Sequence, residues 1–91
     1  MKIRDQLAEH DEEMIVAEGL DEAIIGVGYR QGQPDLVVYD IDKVLTILMT
    51  RDELSYEEAR EYFEYNIGGS WMGERTPVWM ENWSHDHVAL S

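Results

Sequence analysis

The sequence predicts a small α+β domain, an antiparallel sheet of about three strands with helices packed on one face. Three observations carry that expectation. Two short runs rich in β-branched residues, AIIGVGYR (23–30) and LVVYD (36–40), flank a Gly/Pro turn and read as a hairpin. Two following segments, 41–51 and 55–67, repeat apolar residues at helical spacing. A third strand-like run, TPVWM (76–80), lies far enough downstream to rejoin the sheet. The expected order is α-β-β-α-α-β.

Each element has its own justification. Over residues 1–19, Ile3, Leu7, Met14 and Ile15 follow a rough helical spacing with acids between them. His10 and Asp11 interrupt the stripe, so one helix or two short ones fit, with Gly19 as a stop. In the first strand Ile25, Val27 and Tyr29 alternate with Ile24, Gly26 and Gly28; glycines on one face imply a closely packed neighbour. RQGQPD is the turn. In IDKVLTILMTR (41–51), Ile41, Val44, Leu45 and Leu48 form one face and Asp40 is the expected N-cap.

The helix at 55–67 has the clearest start. Ser55 and Glu58 have the spacing of a capping box, and Leu54 can staple onto Ala59. Tyr56, Ala59, Phe63 and Ile67 form the expected buried stripe, and Gly68 and Gly69 the stop. Pro77 places the last strand at an edge or confines the proline to its first residues, because proline cannot donate to a ladder. One domain over 1–84 is expected, with residues 85–91 as a loose tail.

Composition narrows the function classes. The chain has no cysteine, which removes disulfides, thiolate zinc sites and cysteine nucleophiles. There is no apolar run of membrane-spanning length, and MKIRDQLAEHDEEM carries no apolar signal core, so a cytoplasmic protein without membrane contact is expected. Twenty acidic residues against seven basic ones set the formal net charge at −13. Such a field repels nucleic acid and anionic membrane, and attracts a basic protein groove.

Catalytic and cofactor motifs are weak. Gly26, Gly28 and Gly32 give GxGxxxG with a strand after it, not a dinucleotide loop opening a helix. His85, Asp86 and His87, flanked only by Glu81, lack a full ligand set, so no metal or cofactor is expected. His10 beside Asp11 has no nucleophile to serve. An enzyme is not expected. Arg75 in GERTP reads as a structural tie to Glu74 or another acid.

The candidate site is a helix face. Glu57, Glu61 and Glu64 fall at i, i+4 and i+7, with Glu58 beside them and Asp52 and Glu53 ahead of the cap. Carboxylates at this spacing lie roughly 5–6 Å apart and repel by a few tenths of a kcal/mol per pair; Arg60 offsets part of this through Glu64. The helix dipole explains the acids near the cap. It does not explain Glu61 and Glu64. Fixed negative charges in a row can imitate a phosphate backbone. Trp71, Trp79 and Trp83, with Tyr62 and Tyr65, exceed what a small core can hide, so some should be exposed for a partner or for self-association. Partner binding is therefore placed on Glu57, Glu58, Glu61, Glu64, Tyr65 and Trp71.

The runs DEAIIGVGYRQGQPDLVVYDIDKVLTILMTRD and LSYEEAREYFEYNIGGSWMGERTPVW, over about residues 20–80, resemble a family of small uncharacterised proteins of phage and prophage genomes and of some bacteria. The shared features are GVGxR, GQP, YD before a helix, EYFEYN, and a GxWxGExTPVW close. The resemblance implies a phage-type context and brings no catalytic residue. Small phage accessory proteins often disable a host protein. The expected function is inhibition of a host protein, such as a nucleic-acid-binding defence factor, in the host cytoplasm. The alternatives are a structural phage protein acting as a homo-oligomer, and a protein sequestering a nucleotide-like signal if Arg30, Arg51 and Arg75 converge.

Overall fold

The computed structural model describes residues 3–11, 13–69 and 73–83. It is an α+β domain with helix α1 (Ile3–His10), a single 3-10 turn (Asp21–Ala23), strands β1 (Ile24–Gly28) and β2 (Leu36–Asp40), helices α2 (Ile41–Arg51) and α3 (Tyr56–Tyr62), a π-helical turn (Phe63–Ile67) and strand β3 (Val78–Met80). The element order matches the one read from the sequence.

The sheet order is β1-β2-β3. β1 and β2 pair antiparallel across the hairpin, whose turn closes by Gln33 N–H donating to Arg30 O at 3.0 Å. Gly32, at φ +83°, takes the third turn position, where a type II turn requires positive φ. β3 pairs with β2 in parallel, Val38 with Val78 and Tyr39 with Trp79. The sheet is thus mixed, not antiparallel throughout. The cause is the connection. Two helices lie between β2 and β3, and such a crossover brings the chain back to the end of the sheet from which β2 started.

The core sits between one sheet face and the helices. Ile24, Val37 and Tyr39 are buried with Ile41, Val44, Leu45 and Leu48 of α2, Ala59 and Phe63 further on, and Leu7 and Leu20. All four apolar positions read from the α2 sequence are therefore inside. Burying each Val or Leu side chain contributes about 1.5–3 kcal/mol. Trp79 joins through its rings, 4.8 Å from Tyr39 and 5.4 Å edge-on from Phe63. The opposite sheet face carries Gly26, Val38 and Val78, paired in one row, and Val78 is exposed.

Five local expectations are corrected. α1 ends at His10 because Asp11 Oδ1 accepts from Glu13 N–H at 2.9 Å, a local bond that turns the chain away. Gly19 stops no helix; it forms a turn at φ +80° ahead of the 3-10 segment. In β1, Ile25 is an extra residue opposite Tyr39 and Val38, a bulge. A Cβ on Gly28 would meet Val38 Cγ2 at 3.1 Å, while at Gly26 nothing lies within 4 Å, so the close neighbour is a strand partner and only at one glycine. Tyr56 is 53% exposed rather than part of the buried stripe, which starts at Ala59. The first turn of α3 overhangs the core.

Candidate functional site

α3 begins where the sequence places it. Ser55 Oγ accepts from Glu58 N–H at 3.1 Å, and Glu58 Oε1 accepts from Ser55 N–H at 2.8 Å, so the capping box is closed. Leu54, just before it, packs against the core. With Ala59 and Phe63 turned inward, the other sides of the helix face water. Glu57, Glu58, Glu61, Glu64 and Tyr65 are all exposed, Tyr65 at 82%. Trp71 lies outside the described residues, as do His85, Asp86, His87 and the rest of the tail.

The helix does not end as an ordinary α-helix. Gly68 N–H donates to Phe63 O at 2.7 Å, a bond spanning five residues. The turn from Phe63 to Ile67 is therefore wider, and it carries Glu64 and Tyr65. π-turns of this kind recur at functional sites. Asn66 Nδ2 donates to Tyr62 O at 3.2 Å across the turn. A Cβ on Gly68 would lie 3.0 Å from the Phe63 ring, so glycine allows that ring to pack under the chain.

Charges on the face divide into two kinds. Glu64 pairs with Arg60 at 3.4 Å, as the spacing predicts. Glu57 and Glu61 have no basic partner among the described residues. Other arginines are committed elsewhere. Arg4 contacts Asp21 at 2.6 Å and Glu18 at 3.3 Å, and Arg51 contacts Asp52 at 3.2 Å. Arg75 reaches Asp11 at 2.8 Å and Glu13 at 3.6 Å, so its tie is to the segment after α1 and not to Glu74. The Glu13 amide and then the Arg75 guanidinium hold the Asp11 carboxyl below its ordinary value. His10 Nε2 lies 2.7 Å from Asp35 Oδ2, linking α1 to the hairpin loop. Arg30 lines a separate hollow at the hairpin, with Gly28, Pro34 and Glu74. Arg51 and Arg75 are engaged by acids of different segments, Asp52 and Asp11.

The structure brings carboxylates and the tyrosine of the expected contact set onto one surface. Glu58, Glu61, Tyr62, Tyr65 and Asn66 line one shallow surface depression. Glu58 and Glu61 therefore share one surface with the exposed tyrosines. Its carboxylates can accept from Lys or Arg, and its ring faces can stack the same cations. Tyr62 and Asn66 were not among the predicted contact residues. The sequence marks Tyr62 only as an aromatic beyond what the core can hide, and the signal for both is the spacing of Glu58, Tyr62 and Asn66 at i, i+4 and i+8 on one helix face. Of the tryptophans described, Trp79 packs in the core and Trp83 is exposed.

The fold and this face define a small α+β domain with an acidic, tyrosine-bearing helix surface. Among the described residues, no group of three or more His, Asp or Glu side chains could hold a metal, and no helix is long and apolar enough to cross a membrane. Comparison of the chain with protein-family models, with curated proteins and with solved structures returned no match.

Proposed function

We propose that this protein is a non-enzymatic binding module of phage type that docks α3 on a basic, nucleic-acid-binding host protein and blocks it. The observation that carries the reading is the shared depression, where Glu58 and Glu61 stand beside Tyr62 and Tyr65. Glu57 and Glu61, a helical turn apart and without basic partners among the described residues, present fixed negative charge at a spacing of roughly 5–6 Å. A groove built to hold phosphates carries the complementary Lys and Arg. The net charge of −13 adds a long-range attraction toward such a partner and a repulsion from nucleic acid itself.

The test is capture from host lysate at low and at high salt, with wild type, a Glu57→Lys/Glu61→Lys double variant and Tyr65→Ala. Those positions are solvent-exposed, so all three proteins should fold. The expected result is a nucleic-acid-binding protein retained at low salt, released at high salt, and lost with the double variant. A partner that the double variant retains at full strength rules out the acidic face.

A second reading has its own observation. Ile25, Val27 and Val78 of the sheet and Tyr29 just after β1 are exposed apolar or aromatic residues. They favour self-association over a foreign partner. Sedimentation equilibrium of the pure protein separates the two readings, because only the second expects a concentration-dependent oligomer that survives high salt.

A further inference from the structure

Two hollows meet beside α3, and Tyr62 and Asn66 wall both of them. One is the acidic depression. The other, of about 340 Å³, lies between the chain before the 3-10 turn, the end of α2 and the π-turn. Val16, Ala17, Leu20 and Ile67 supply its apolar lining, and Glu18 and Arg51, paired with Arg4 and Asp52, are its charged members. Its volume lies within the range of roughly 300–1,000 Å³ that takes ligands.

The walls are held in place. Ala17 N–H donates to the buried Tyr39 hydroxyl at 2.7 Å, and Leu20 belongs to the core. Arg51 Nη1 donates to Gly19 O at 3.3 Å, and a Cβ on Gly19 would lie only 2.8 Å from that nitrogen. Glycine at φ +80° thus lets Arg51 lie against the turn. Asp52 holds the same guanidinium from the other side. The π-turn sets the positions of Asn66 and Ile67 relative to α3.

We propose that this hollow seats a large apolar side chain of a basic partner segment, whose flanking Lys or Arg residues lie on Glu58 and Glu61. The inference rests on the reading of α3 as the docking face and names what docks there. Charge decides between the possible guests. A cationic side chain entering the hollow would lose hydration against Val16, Ala17, Leu20 and Ile67, and the carboxylate there, Glu18, is already paired with Arg4. The same cation gains on the other side of Tyr62, where the carboxylates are. A free anion meets the field of a chain of net charge −13. An apolar anchor next to a basic flank satisfies both hollows at once, in the pattern of a central buried contact with a charged rim.

The experiment is selection of a random-peptide display library against the full chain, followed by NMR of nitrogen-labelled protein with a selected synthetic peptide. Enriched peptides should carry Leu, Ile, Met or Phe beside Lys or Arg. The peptide should shift the Ala17, Leu20 and Ile67 amides together with those of Glu58 and Glu61. Ala17→Met, which fills the hollow and keeps the backbone bond to Tyr39, should weaken binding by about tenfold or more. Val16→Met on the same lining replaces it if that variant does not fold. Basic peptides without an apolar residue, shifts confined to Glu58 and Glu61, or unchanged affinity for the filled hollow would each overturn the anchor and leave α3 docking standing. Enrichment without basic residues, or no enrichment at all, overturns the anchor and counts against the docking face as well, which the lysate capture then decides separately.

Discussion

Tyr39 carries two jobs in one side chain. Its ring is fully buried against Trp79, and its hydroxyl accepts the Ala17 amide from the segment that lines the apolar hollow. Tyr39→Phe keeps the ring and orphans a part-buried N–H, which should cost about 1–2 kcal/mol in denaturant unfolding. The side chain also sets an alkaline limit. Burial, the largest influence on it, raises the Tyr39 pKa above the ordinary value, with the Ala17 amide acting the other way. A raised folded-state value means that the unfolded chain loses this proton first. The contribution is complete below about pH 10 and is lost as pH rises from there through the folded-state value. The difference between wild type and Tyr39→Phe should therefore narrow above that point. Parallel stability curves across the alkaline range would contradict the assignment.

The element scale is best seen in the short link between α2 and α3. α2 ends with Asp52 N–H donating to Leu48 O at 3.0 Å, and the next residue, Glu53, adopts φ +56°. Glycine is the usual residue in that conformation, and a side chain there is strained by roughly 1–2 kcal/mol. Two residues later Ser55 opens α3 with its capping box. The two positions should respond with opposite signs. Glu53→Gly should raise the unfolding free energy from denaturant titration, by up to about 1 kcal/mol after the entropy of glycine is counted. Ser55→Ala should lower stability by about 1 kcal/mol. Equal signs from the pair would mean that the helix ends are not arranged as described.

At the scale of the molecule, one ion pair closes the chain on itself. Arg75, just before β3, grips Asp11, just after α1, across 64 residues of sequence. The Glu13 amide and Arg75 lower the Asp11 pKa, so the folded state keeps this carboxylate charged where the unfolded chain would protonate it. The contribution is present above the ordinary Asp value near pH ~3.9 and is lost as pH falls through the lowered one. Unfolding midpoints measured from pH 6 downward to about 2 should show wild type losing its advantage over Asp11→Asn in that acid window. An advantage that persists unchanged to the lowest pH would show that the pair does not act through charge. Both partners are partly solvent-exposed, so the effect should also shrink with added salt.

Much of the architecture is legible from local pattern. LVVYD and IDKVLTILMTR coincide with β2 and α2 residue for residue, because alternation, a 3.6-residue period and an aspartate cap are properties of neighbours in the chain. The capping box and the exposed glutamates of α3 follow for the same reason. What local pattern does not contain is where distant segments meet. The parallel direction of β3 comes from the path of two intervening helices. The exposure of Tyr56 comes from where the core happens to end. The acid that Arg75 grips lies at the far end of the chain, and nothing around GERTP marks it. The candidate site divides in the same way. Its carboxylates were readable from helical spacing, but the hollow beside them exists only because folding brings Val16–Leu20 against Tyr62, Asn66 and Ile67, and a contact between segments more than forty residues apart is a property of packing alone.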